Sequence, residues 1–133
     1  MATIPEPFLD LVSPEKKALA VLATVMPDGS PQATPVWFDY TDGKLRVNTA
    51  RGRVKERNMR EGAKVALSIV DPQNPYRHIQ VRGHVAVATE EGADDHINSL
   101  AKKYLDKDVY PFRRPEEVRV KYVIEPDSIS HMP

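Results

Sequence analysis

Hydrophobic residues along this 133-residue chain fall mainly in short alternating runs rather than in long helical stripes. Ala18 to Met26 is almost wholly apolar, too short for an ordinary helix, and runs into Pro-Asp-Gly-Ser. This predicts a buried strand entering a tight turn. Pro31 to Tyr40 reads as a second strand and Leu45 to Thr49, after Thr-Asp-Gly-Lys, as a third. Leu45, Val47 and Thr49 share one face of that third strand, and Lys44, Arg46 and Asn48 share the other. Two Asp-Gly turns between extended segments imply a three-strand antiparallel meander. Lys64 to Val70 alternates again through Val65, Leu67 and Ile69. His78 to Ala88 is the longest strand candidate, aligning Ile79, Val81, Val85 and Val87, with Gly83 marking a bulge or a close backbone approach. Val118 to Ile124 supplies a sixth strand.

Only one segment has a clear helical period: Ala93, Ile97, Leu100, Ala101 and Tyr104 form an amphipathic stripe. Thr89 is the expected N-cap, with Glu90 and Glu91 at the positive helix end. Pro7 to Val12 predicts a short helix, and Asp71 to Arg77 a loop rich in proline and Asx residues. Short connections favour antiparallel pairing, and a small antiparallel sheet usually hides its edges by closing. The expected fold is mainly β, a six-stranded antiparallel barrel with peripheral helices, forming one domain over residues 1–133.

Charge and composition narrow the chemistry. The net charge is zero, so no global field attracts nucleic acid or an anionic membrane, and any anion site must be local. With no cysteine there are no disulfides, thiolate nucleophiles or zinc–sulfur sites. The N-terminus has neither a basic n-region nor a long apolar h-region, and no apolar run approaches the roughly 20 residues that span a bilayer. A cytoplasmic protein without membrane partners is expected.

The stretch from Val47 to Asn58 carries the densest chemistry. A strand end with Asn48 and Thr49 leads through a glycine-containing turn into a short helix bearing Arg51, Arg53, Lys55 and Arg57. Free N–H groups at a helix start, ringed by cationic side chains, seat a phosphate. Alone, the run reads first as a solvated charged face balanced by Glu56 and Glu61, because charged short helices are common. Trp37, the only tryptophan, reads first as core filler and second as a flat wall for a planar ring. His78, His84, His96 and His131 show no metal-binding spacing. Ser30, Ser68 and Ser99 lack a nucleophile context, and Asp94 and Asp95 read as solvent-facing. No catalytic acid, base or nucleophile stands out, so any enzymatic chemistry would come from a cofactor.

The ordered pieces Ala-Thr-Val-Met-Pro-Asp-Gly-Ser-Pro-Gln-Ala-Thr-Pro-Val-Trp-Phe, Val-Asn-Thr with Arg-Gly-Arg-Val-Lys-Glu-Arg-Asn, Asp-Pro-Gln-Asn-Pro-Tyr-Arg and Gln-Val-Arg-Gly span nearly the whole chain. Together they resemble the flavin/deazaflavin split β-barrel superfamily related to pyridoxamine 5'-phosphate oxidase, and within it the branch using coenzyme F420. The resemblance implies an FMN-binding-like split barrel and a homodimer with the cofactor groove at its interface. It assigns the cofactor phosphate to Asn48, Thr49, Arg51, Arg53 and Lys55, with Asn58 in the motif as ligand or helix brace. Arg57 and Arg60 become surface or tail contacts. The ring would lie along Ala33, Thr34, Pro35, Val36 and Trp37, with Gln80 to Arg82 lining the groove and Tyr76 or Arg77 reaching in from the second subunit. Pro-Val-Trp-Phe replaces the oxidase's basic FMN motif and the region for pyridoxal phosphate is missing, which argues against pyridoxamine oxidation. The implied activity is hydride transfer from reduced F420 to an electron-poor small molecule such as a quinone, an enone or lactone, or a tetrapyrrole. FMN as cofactor, or a non-catalytic protein binding a cofactor or tetrapyrrole, are the alternatives.

Overall fold

The computed structural model describes residues 2–132. Among these, seven strands form one antiparallel sheet: β1 (Ala20–Val25), β2 (Pro31–Val36), β3 (Asp39–Thr41), β4 (Lys44–Ala50), β5 (Lys64–Asp71), β6 (Asn74–Thr89) and β7 (Arg119–Met132). Their spatial order is β2-β1-β5-β6-β7-β4-β3. A 3₁₀ turn covers Glu6–Val12, helix α1 is Val54–Asn58 and helix α2 is Ala93–Leu105. The mainly β, split-barrel character read from the sequence holds, with seven strands in place of six.

The extra strand comes from a break in the predicted Pro31 to Tyr40 segment, and with it the three-strand meander disappears. The reason lies in the prolines. Met26 N–H donates to Ser30 O (2.8 Å), and Ala20 aligns with Val36. The even-numbered positions of β2 therefore carry the ladder to β1, and Pro31 and Pro35 fall on the opposite edge, where no N–H is required. That edge cannot accept a full third strand. The chain instead crosses at Trp37 and Phe38 to the far side of the sheet, where β3 and β4 form their own hairpin. One continuous sheet thus curls so that its two ends, β2 and β3, are joined by two residues without being paired. The split between them is where the candidate site lies.

The backbone of the crossing has no ladder partners, and α2 supplies them. Phe38 N–H donates to Tyr104 Oη (3.3 Å), Lys103 Nζ donates to Phe38 O (2.6 Å), and Tyr104 Oη donates to Ala18 O (2.6 Å). Burial pushes the Lys103 ammonium down to about 8, partly offset by the Asp39 charge. A lysine depressed in the folded state takes up fewer protons than the unfolded chain between about pH 8 and 10.5, so its penalty on stability fades as pH rises through that window. Urea midpoints of native protein and Lys103→Met are accordingly expected to shift in favour of the native protein between about pH 8 and 10. A constant difference would remove Lys103 as the titrating group.

Interior positions follow the predicted alternation. Leu45, Val47, Leu67, Ile69, Ile79, Val81, Val120, Tyr122 and Ile124 are all buried. Gly83 is a close approach, one of the two readings its place in the strand offered: a Cβ there would collide with the Glu125 carbonyl oxygen. The ladder to β7 shifts register at Arg82/Gly83 and again between Val85 and Val87. The second shift turns Val87 outward, contrary to the predicted alternation, and lets Ala88 pack on the core instead.

Three boundaries also move. Asp71 to Arg77 is a hairpin rather than a loop, because Asp71 Oδ1 accepts the Gln73 N–H (2.9 Å) and Asn74 already pairs in β6. Thr89 does not cap α2. Its hydroxyl accepts the Glu91 N–H (3.0 Å), and Gly92, with φ of 72°, starts the helix. The last strand runs to Met132, well past the predicted Ile124.

Candidate functional site

A cavity of about 290 Å³ opens in the split. One wall is Pro35, Val36 and Trp37; the floor includes Asn48 and Arg119; Arg53 and Lys55 form the cationic side. Ile97 and Leu100 of α2 and the aromatic pair Tyr110 and Phe112 close the rest. Trp37 is half-buried and stacks on Tyr104 (centroids 5.2 Å apart, 11° between planes), with the Tyr110 ring edge-on at 5.9 Å. Its indole is therefore a fixed wall of the cavity rather than core filler.

The cations converge from three elements. Arg53 precedes α1, Lys55 lies on it, and Arg119 opens β7. Lys55 Nζ donates to Thr34 Oγ1 (3.1 Å) and has no carboxylate within salt-bridge distance among the described residues. Burial, then the charges of Arg53 and Arg119, lower its pKa. Arg119 is 4% exposed, pairs with Glu117 (2.9 Å) and lies 5.2 Å over the Tyr110 ring. Glu117 also stands 3.5 Å from Arg53. One carboxylate thus serves two of three cations, leaving an excess of positive charge that an anion would relieve.

The turn before the helix is partly taken up by the helix itself. α1 has five residues, and Glu56 already reaches back to accept the Gly52 N–H (2.9 Å) and pair with Arg51 (3.3 Å). The side chains of Arg53, Lys55 and Arg119 define the cationic centre.

The remaining sequence candidates scatter around this centre. Arg51 is tied to Glu56 and Glu90 and borders a second cavity of about 650 Å³, which shares Arg53, Tyr110 and Phe112 with the first and adds Arg114. Asn48 spends its whole amide on Arg119, Ala93 and His96. Thr49, on the opposite face of β4, is buried in the interior with its hydroxyl unpartnered. Asn58 braces α1 to β1, donating to Thr24 Oγ1 (3.0 Å) and Met26 Sδ (3.3 Å). Ala33 lies exposed on β2, its N–H on the free edge by the same parity that puts Pro31 and Pro35 there. Arg57 is exposed on α1 and Arg60 exposed beyond it. Gln80 lies on β6, bonded to Ser130 (3.2 Å), three strands across from β2 and away from this cavity. Arg77 is taken up by Asp10 and Asp71 within its own chain (2.7 and 2.9 Å), and Tyr76 is exposed.

Sequence reasoning missed Arg119, Glu117, Tyr110 and Phe112. The signal for the aromatic pair was present, since the unstructured stretch 106–118 is long for a connection and carries exposed Val109 and Phe112. An arginine at the head of an apolar strand gives no comparable signal.

A split barrel with an open, cationic and aromatic crevice is a cofactor-binding architecture. The family model described as pyridoxamine 5'-phosphate oxidase matches residues 11–132, and the chain belongs to that family. A solved structure titled F420 reductase is 32% identical, with 96% of this chain and 98% of that one covered and a TM-score of 0.82. A putative pyridoxamine 5'-phosphate oxidase from Listeria innocua is 18% identical over 95% of both chains, with a TM-score of 0.70. The FAD and heme binding protein from Mycobacterium smegmatis is 20% identical, covering 98% of this chain and 71% of that one at a TM-score of 0.69. No curated protein matches the sequence. No helix among the described residues is long and apolar enough to cross a membrane.

Proposed function

We propose that the protein is an oxidoreductase that uses reduced coenzyme F420 to deliver a hydride to an electron-poor small molecule, such as a quinone, an enone or lactone, or a tetrapyrrole. The observation that carries this reading is the Arg53, Lys55 and Arg119 cluster beside the Trp37 and Tyr110 rings, in a crevice lacking an activated nucleophile. The likeness to the protein titled F420 reductase supports it. Cations short of carboxylates suit a phosphate, and the larger neighbouring cavity, where Arg51 and Arg114 stand beside Glu116 and Glu117, gives room for a tail beyond it. When bound, the deazaflavin supplies the hydride. Lys55 and Arg53 hold the phosphate, Trp37 orients the ring plane, and the free edge of β2 at Ala33 offers a backbone donor to the ring edge. The protein's contribution is proximity and orientation, with solvent as the proton source.

The proposal includes a homodimer. Val21, Val25 and Val70 stand exposed on neighbouring strands, next to an apolar-lined cavity of about 390 Å³ that includes Ala23, Ala66 and Gly83. A second copy would cover them. It also includes a cytoplasmic location. FMN in the same crevice is the second reading, and non-catalytic binding the third.

Titration of the purified protein with coenzyme F420 and with FMN, followed by reduction of a menadione-like quinone, tests this. Binding of F420 with turnover is expected. Affinity for FMN alone overturns the F420 assignment, and F420 binding without turnover on any acceptor favours the non-catalytic protein.

A further inference from the structure

Arg119 faces the cavity, but what holds it runs the other way, into the protein. Its Nε donates to Asn48 Oδ1 (2.8 Å), and the Asn48 NH₂ group meets His96 Nδ1 (3.1 Å) and the Ala93 carbonyl (2.9 Å). His96 is only 4% exposed, and its Nε2 lies 3.3 Å from Asp39 Oδ2, in a geometry too poor for a full hydrogen bond. Asp39 in turn holds Arg46 through both carboxylate oxygens (2.7 and 2.8 Å).

The roles in this chain are forced. A guanidinium only donates, so the Asn48 oxygen must face Arg119 and its NH₂ must face His96. His96 Nδ1 then accepts, which assigns the ring as neutral with its hydrogen on Nε2, toward Asp39.

We propose that His96 is a positioning residue for Arg119, acting through the Asn48 amide, and that protonation of His96 releases Arg119 and weakens anion binding in the cavity. A protonated imidazole carries N–H on both nitrogens, so Nδ1–H would oppose the Asn48 NH₂. Turning the amide over relieves that conflict only by setting its NH₂ against Arg119 Nε–H. One amide cannot serve two donors.

The alternative state has a partner ready, because Asp39 stays ionised. Burial acts to raise its carboxyl, but hydrogen bonds and charges from a protonated His96 and from Arg46 hold it at about 2. The charged groups bearing on His96 are Asp39 of β3, Arg46 of β4 behind it, Arg119 of β7 through Asn48, and Lys103 of α2 through its field on Asp39.

The inference rests on the proposed site only in requiring that the cavity take an anion. Inorganic sulfate is the probe, because its charge is constant across the range in which histidines titrate. In ¹⁵N NMR of the full chain, His96 is expected to carry its hydrogen on Nε2 at the alkaline end. On acidification the Arg119 Nε–H signal should move with the midpoint of the His96 ring, while sulfate affinity falls about tenfold, the loss of one charge-assisted contact. His96→Asn places an amide oxygen near the Nδ1 position and cannot be protonated. That variant should keep the alkaline affinity and lose the part of the pH dependence that follows the His96 midpoint. An Arg119 signal blind to the ring, a ring neutral throughout, a hydrogen on Nδ1, or wild-type pH dependence in His96→Asn would each overturn the proposal. Coupled behaviour with sulfate in a protein that ignores coenzyme F420 upholds the role of His96 and refutes the cofactor reading.

Discussion

Replacing Arg119 by methionine is expected to destabilise the fold by about 3 kcal/mol, the low end for removing one partner of a buried ion pair. Methionine fills most of the volume, so the loss is electrostatic. Glu117, with its side chain 9% exposed, would keep only the more distant Arg53 at 3.5 Å and the backbone N–H of Arg114. Asn48 Oδ1 would lose the donor that orients the amide. The Tyr110 ring would lose the cation over its face. Urea denaturation of the native protein and the variant measures the difference. A loss below about 1 kcal/mol, the ordinary value for an exposed pair, would show that the Arg119–Glu117 contact is effectively solvated.

Lys55→Ala is expected to act in the opposite sense, on binding rather than on stability. Its ammonium is half-buried against Thr34 with no carboxylate partner among the described residues, so the folded chain gains little from it. Isothermal titration with coenzyme F420 should show affinity lower by about 1–3 kcal/mol if a charge-assisted phosphate contact is lost. The urea midpoint should scarcely move. Unchanged affinity would remove Lys55 from the site, and a large fall in stability would make it a structural residue. The two substitutions separate the cluster into a cation that the fold needs and a cation that it merely positions.

Much of this arrangement is legible before folding. The β strands follow from alternation, since Val65, Leu67 and Ile69 or Val120, Tyr122 and Ile124 can be buried together only in an extended chain. The short basic helix and its place after a strand end are likewise local. The partition within that helix is less local. Arg53 and Lys55 enter the cavity and Asn58 turns to β1 because α1 packs against β1 and β4 and bonds to β2 through Lys55, contacts that no spacing rule contains.

Errors fall where tertiary pairing overrides local pattern. The Asp-Gly turns are real, but the meander is not, because two prolines on one parity leave β2 with a bare edge. Thr49 has the residue type and place of a phosphate donor, yet the parity that makes Leu45 and Val47 core residues makes it one too. Thr89 has the composition of a helix cap and spends its hydroxyl on a turn instead.

By itself the sequence determined the strand-rich class, the interior face of β4, β5 and β6 as far as Val85, the local character of the charge and the absence of cysteine chemistry, because each depends on side-chain type and on a period of two along a single segment. Only the tertiary structure decided that Arg119, from the far end of the chain, joins Arg53 and Lys55, that Trp37 becomes a wall stacked on Tyr104, and that Asn48 bonds to His96. Those outcomes require the sheet to curl until β2 and β4 approach across the split, and the energy that curls it is spread over the whole buried interior rather than written in any one motif.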